Sequence, residues 1–271
     1  MNNIRFGGLR PAGLVLMCIL ASARLSAWDI GFLFSQKPLF EGAGGSSFSH
    51  NGGLSSWFQT PLGERADLYL SAGILMEYDE QYAGKWKFLP EIYRFQAIVR
   101  PAGNFSLTIG RLQFSDPTAY VARGLFDGIS ASWDAGETGL TLGAFYTGLL
   151  YKKTANITMT APDLKDYNTE LSAQKPSSYF APRRAAAAVN WDVPGLFVSR
   201  GEFKAGGVFQ FDCTNAAETL HSQYLSLTYR LPLANQFTLD AGGVFEIMER
   251  SGKGAGLGFA ADAGFGWMPP T

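Results

Sequence analysis

The chain has 271 residues, a net charge of −1 and 17% charged residues, against about 25% in an average soluble domain. Without a basic excess, no strong field draws nucleic acid or a charged membrane surface, and two histidines, His50 and His221, exclude zinc centres built on several of them. A mean hydropathy of +0.01 excludes a helical membrane protein, but not one that crosses with strands, where only alternate residues meet lipid.

Residues 1–27 read as a secretory signal peptide cleaved before Trp28. Arg5 and Arg10 are its positive start, Ala12 to Ala21 its short apolar core, and Ala27 its small −1 residue. The run is too short for a membrane helix of about 20 residues. Lipid attachment at Cys18 is the alternative, although Val15-Leu16-Met17 lacks the usual small residue before it. The mature chain then keeps one cysteine, Cys213, and no internal disulfide is expected.

From Trp28 onward, side chains alternate with the period of two that marks a strand. Trp28, Ile30, Phe32 and Phe34 oppose Asp29, Gly31 and Ser35. Phe48 to Thr60 alternates poorly, and Gly52-Gly53 predicts a bulge there. Asp67 to Tyr78 is cleaner, with Leu68, Leu70, Ala72, Ile74 and Met76 on one face. Further strands are predicted within Trp86 to Arg100, Phe105 to Gly110 and Ile129 to Asp134. Glu137 to Tyr151 sets Leu140, Leu142, Ala144 and Tyr146 against Gly139, Thr141, Gly143 and Thr147, with Phe145 as the misfit. Strands follow at Ala185 to Asp192, Glu202 to Asp212, Leu225 to Leu231, Phe237 to Ile247 and Leu257 to Trp267. Arg111 to Gly124 and Lys152 to Tyr179 read as long polar connections.

The count is about twelve, and several strands reach the length of about 9–11 residues that crosses a bilayer at a tilt. Connections alternate between short turns and longer loops, as in outer-membrane barrels. The expected fold class is all-β: a transmembrane antiparallel up-and-down β-barrel of about twelve strands over residues 28–271, in an outer membrane. A soluble sandwich would carry more Lys and Glu on its polar faces than the Gly, Ser and Thr found here. Phe265 and Trp267 come near the aromatic ending that barrel-assembly machinery reads, but Met268-Pro269-Pro270-Thr271 does not fit it.

The polar faces supply candidate lumen-lining residues: Asp67, Glu77, Arg94, Arg100, Glu202, Lys204, Asp212, Arg230, Asp240 and Glu246. Mixed charge suits a channel for small solutes, or salt bridges that brace a narrow barrel. Residues 152–179 form either a constriction or a surface loop. Arg183-Arg184 follows it as a candidate for anionic headgroups or a solute. Asn156-Ile157-Thr158 matches a glycosylation sequon, which is discounted in a bacterial barrel. Arg111, Asp116, Arg123 and Asp127 are expected to form an ion-pair cluster at the rim. His221-Ser222 is the one pair with hydrolase chemistry. Neighbours on a strand point to opposite faces, and no GxSxG elbow is present, so no enzyme activity is expected, and no cofactor or metal.

The phrases TPLGERADLYLSAG (60–73), IGRLQFSDP (109–117), GLFDG (124–128), GAFYTGLLYKKTANITMT (143–160) and LHSQYL (220–225) resemble a group of spirochaetal, treponeme-type outer-membrane β-barrel proteins. That resemblance spans nearly the whole mature chain. It implies an outer-membrane location and a porin-like role, and brings no catalytic residues with it. The expected partners are outer-membrane lipid, small hydrophilic solutes and the barrel-assembly machinery. The expected function is a passive channel for such solutes. A non-conducting surface barrel, adhesive or structural through its external loops, is the alternative.

Overall fold

The computed structural model describes residues 28–41, 47–79, 85–154, 157, 159–171, 175–214, 219–234 and 236–267. The predicted signal peptide and both ends of the sequon lie outside these. Twelve strands form one sheet in chain order: β1 (Asp29–Glu41), β2 (Ser47–Pro61), β3 (Ala66–Asp79), β4 (Lys85–Ala102), β5 (Phe105–Ser115), β6 (Arg123–Ala135), β7 (Thr138–Tyr146), β8 (Arg184–Pro194), β9 (Glu202–Asp212), β10 (Leu220–Ala234), β11 (Phe237–Arg250) and β12 (Gly254–Trp267). The expected antiparallel up-and-down class and strand count are borne out. By internal contacts the chain divides into two units, Met1–Pro90 and Glu91–Thr271.

In the first unit, β1 pairs with β2 and β2 with β3 in unbroken register. The bulge expected at Gly52-Gly53 is therefore absent: Gly52 sits opposite Gln36 on one side and Met76 on the other. A residue without Cβ fits here, because a Cβ at Gly52 would come within 2.9 Å of the Ser35 carbonyl. Ile30, Phe32, Phe34, Leu54, Leu70 and Ile74 are exposed. Aromatic rings bracket this apolar face. Trp28 meets Phe58 at 5.7 Å near one end. Near the other, Phe48 meets Tyr78 at 5.7 Å and Tyr78 meets Trp86 at 5.3 Å.

In the second unit, strands β5 to β12 pair in sequence from Phe105 to Trp267. Ile109, Ile129, Leu142, Phe209, Leu225, Leu227, Leu239, Phe245 and Phe259 are exposed on one face. Near its short-turn end that face carries Trp133, Trp191, Phe237, Phe265 and Trp267. The opposite face holds the core: Leu112, Phe114, Phe126, Phe145, Ala188, Val208, Tyr224 and Val244. Phe145, the misfit of its strand, belongs to this inner set. Its ring lies 4.9 Å from Phe114 and 5.3 Å from Phe126. Gly143, two residues back on the same face, leaves the space for it, since a Cβ there would fall 2.3 Å from the Phe145 ring.

Two connections differ from expectation. Residues 111–115 and 123–124 were expected in a loop, but they belong to β5 and β6, with Arg111 opposite Asp127 and Ser115 opposite Arg123. The alternation of Leu112 and Phe114 with Arg111, Gln113 and Ser115 simply continues. Conversely, β7 stops at Tyr146 rather than Tyr151. The Thr147 hydroxyl donates to the Pro182 carbonyl at 2.6 Å, and a turn from Thr147 to Leu150 redirects the chain.

Candidate functional site

The rim motif is partly assembled as expected. Arg111 on β5 grips Asp127 on β6 with both ends of its guanidinium: Nε donates at 2.8 Å and Nη2 at 3.0 Å. Such bidentate, charge-assisted pairs are strong and directional. Nη1 also donates to Glu91 at 3.2 Å and to the Ile92 carbonyl at 2.8 Å, and Nη2 to the Leu149 carbonyl at 2.9 Å. The Tyr179 hydroxyl donates to Glu91. Burial, that hydrogen bond and the Glu91 charge push the Tyr179 phenol well above its ordinary value. One arginine thus ties β4, β5, β6 and the connection after β7 together. Glu91 and Tyr179 were not legible as members, because their approach depends on the fold of that connection.

Asp116 and Arg123 stand apart from this cluster. The Asp116 carboxylate accepts from the backbone N–H of Thr118 at 3.0 Å, Val121 at 3.1 Å and Ala122 at 2.8 Å, and from the Thr118 hydroxyl. It therefore closes residues 116–122 into a rigid turn. Arg123 is exposed at the start of β6.

The turn folds over the inner face. Asn190 Nδ2 on β8 donates to the Ser115 carbonyl at 2.8 Å. Pro117 rests on Gly206 of β9, where an added Cβ would sit 2.4 Å from the proline ring. Val121 and Ala122 join the apolar core. Residues 116–122 therefore cover part of the inner face, and Ile157 of the later connection packs against the same core.

The described residues of the 152–179 connection are bolted to the strands. Thr160 and Asp163 make a capping box for helix α1 (Ala161–Asn168), with proline in its first turn. The T-A-P-D sequence was the available signal for this helix. The buried Lys152 ammonium donates to the Asp166 carbonyl at 3.0 Å and to the Thr169 carbonyl, where the helix's unsatisfied oxygens lie. Burial and the neighbouring Lys153 lower its pKa, against the pull of Asp166. Arg184, fully enclosed, pairs with Asp163 and, at 2.8 Å, with Asp212. Asp212 also accepts from the Thr214 and Leu220 N–H groups. Arg184 is thus a buried fastener, rather than a surface group for headgroups, and Asp212 is its partner rather than a lining residue.

Four of the expected lumen residues do meet. Glu202, Lys204, Arg230 and Asp240 line a polar cavity of about 270 Å³, with Asp262 and with Pro117, Thr118 and Tyr120 of the inward turn. Arg230 Nε donates to Asp240 at 2.6 Å. Lys204 stands 3.9 Å from Asp192. Asp192 and Asp262 were missed as candidates, although both continue the inner alternation of their strands. Glu246 lies further along β11, beside Gly258. Arg94 is half-buried and Arg100 exposed on β4. Asp67 and Glu77 are half-buried on β3 of the first unit. His221 Nδ1 accepts from the Asp212 N–H at 3.2 Å, while Ser222 is buried, so the two point apart.

No protein-family profile matches the chain, and no characterised protein matches it by sequence. It is similar to several solved structures. One is OmpT of Vibrio cholerae, an outer membrane protein in its trimer form, at 9% identity over 89% of this chain and 84% of that one, TM-score 0.41. A loop L8 deletion mutant of OmpT matches at 9%, over 89% and 88%, TM-score 0.42. OccK7 (OpdD) of Pseudomonas aeruginosa matches at 13%, TM-score 0.49, over 89% of this chain and 64% of that one.

Proposed function

We propose that the chain is an outer-membrane β-barrel that passes small hydrophilic solutes along its inner face. The observation that carries this is the inverted distribution of side chains. Large apolar residues stand exposed on the outward face of strand after strand, while charge collects on the inner one. A protein in water would hide such a face; in a bilayer it is the correct one. The aromatic rings set the scale. Phe48 and Phe58 lie ten residues apart on β2, about 33 Å along a strand rising about 3.3 Å per residue. At a tilt of about 40° that covers about 25 Å of bilayer, the usual height of the apolar band. Membership of the spirochaetal group and passage through the barrel-assembly machinery belong to the same proposal.

The polar cavity beneath the 116–122 turn supports conduction with selection rather than a wide pore. A second reading, a non-conducting surface barrel, is favoured by the bolted connection between β7 and β8, which offers a stable external platform. Single-channel recording of refolded protein in planar bilayers separates the two. Discrete, reproducible conductance steps support the channel; a heat-modifiable barrel that stays silent overturns it and leaves the platform.

A further inference from the structure

The polar cavity contains charges of both signs that are only partly paired: Arg230 bonds Asp240 and faces Glu202 across the strands, and Lys204 stands near Asp192. Among the described residues, the Glu202 and Asp262 carboxylates make no hydrogen bond and no ion pair. Arg230 uses only Nε on Asp240, which leaves its two terminal nitrogens pointing from a side chain that is 61% exposed. Lys204 is 47% exposed and only loosely matched to Asp192. Cross-strand register holds these groups in place. Arg230 lies between Glu202 and Asp240 on β9–β10–β11, and Asp262 sits opposite Gly242, so no bulky neighbour covers it.

The roof is equally fixed. Asp116 satisfies three backbone N–H groups of the turn, Asn190 holds Ser115, and Gly206 seats Pro117. Ala119 is held at φ 58°, a conformation that alanine rarely adopts. Tyr120 follows it, 65% exposed, and lines the cavity. A strained tip that presents an unburied aromatic over a charged chamber marks a functional position.

We infer that this chamber is a binding site for small zwitterions of the amino-acid type. The solute carboxylate meets the Arg230 terminal nitrogens and the Lys204 ammonium; its ammonium meets Glu202 and Asp262. A neutral solute gains no charge–charge attraction from either set, and an ion of one sign is attracted by one set and repelled by the other. The volume suits a molecule of a few heavy atoms. This inference rests on the channel reading for its role in transport, but not for binding itself.

The test uses refolded full-length protein. In proteoliposomes, swelling is compared for alanine, its neutral isostere lactamide, and lactate. Alanine is expected to enter several-fold faster than lactamide, and the Glu202→Gln/Asp262→Asn double variant is expected to lose that preference while still swelling in lactamide. Equal entry of alanine and lactamide overturns the zwitterion site but leaves the channel. If no solute enters, the channel reading falls, and saturation-transfer NMR of alanine on the protein in detergent micelles decides the site. A signal lost in the double variant supports it; no signal, or one unchanged in the double variant, overturns it.

Discussion

Replacing Arg184 by methionine removes the one cation enclosed between Asp163 and Asp212. Both carboxylates are at most one-tenth exposed. Deleting one side of a buried pair costs about 3–5 kcal/mol, because the remaining charge stays desolvated. Here two carboxylates remain. Asp212 keeps its bonds from Thr214 and Leu220, and Asp163 keeps its capping box. The native geometry can therefore escape the penalty by releasing residues 152–179 and leaving the strands paired. The loss then appears as local opening, raised by about two to three and a half orders of magnitude at about 1.4 kcal/mol per decade. Trypsin cleavage at Lys165, inside α1, reads that opening directly. Arg184→Met should be cut far faster than the parent at low protease, while its unheated band keeps the mobility of a folded barrel. Adding Asp163→Asn and Asp212→Asn should restore most of the protection. Cleavage at the parental rate in Arg184→Met would refute the fastener and the energetics derived from it.

Tyr179 is held protonated by burial and by Glu91, so its folded pKa lies above the unfolded value near 10. It contributes stability below about pH 10 that is lost as pH rises through that value towards the folded one. A phenolate titration at 295 nm should show one late component that Tyr179→Phe removes. Phe145→Ala should lower the stability of the refolded barrel by about 3–5 kcal/mol, measured by urea titration, whereas Leu142→Ala on the exposed face should do much less. Gly206→Val places a side chain where Pro117 now rests and should lift the 116–122 turn; larger conductance steps are expected, and unchanged steps would contradict the inward turn. The exposed Cys213 thiol, beyond β9 at the longer-connection end, should react with a membrane-impermeant maleimide on intact cells.

Strand number, direction and the outward face were all readable from the alternation. A strand's two faces meet different surroundings, so composition with a period of two records both. Phe145 shows where that reading stops. Its period marked an inward aromatic, but the reason lies in Phe114 and Phe126 on neighbouring strands. The rim arginine was legible with Asp127, its cross-strand neighbour, because register follows from local pairing. Glu91 and Tyr179 were not, since they reach Arg111 from distant parts of the chain.

The sequence by itself therefore determined what is periodic and local: twelve strands, an apolar exposed face, the inner charges Glu202, Lys204, Arg230 and Asp240, and the capping box of α1, which stood unread in T-A-P-D. Tertiary structure alone decided how the 116–122 turn seats on the inner face and how α1 is bolted to Arg184. Asp116 sits in a polar stretch like any other loop, and only the missing side chain at Gly206 on a strand far along the chain makes the seat for Pro117. Arg184 read as a group for headgroups or a solute and Asp212 as a lumen charge until register set them opposite one another and α1 enclosed them. Contacts between remote segments depend on the path of the backbone in space, and no local pattern records that path.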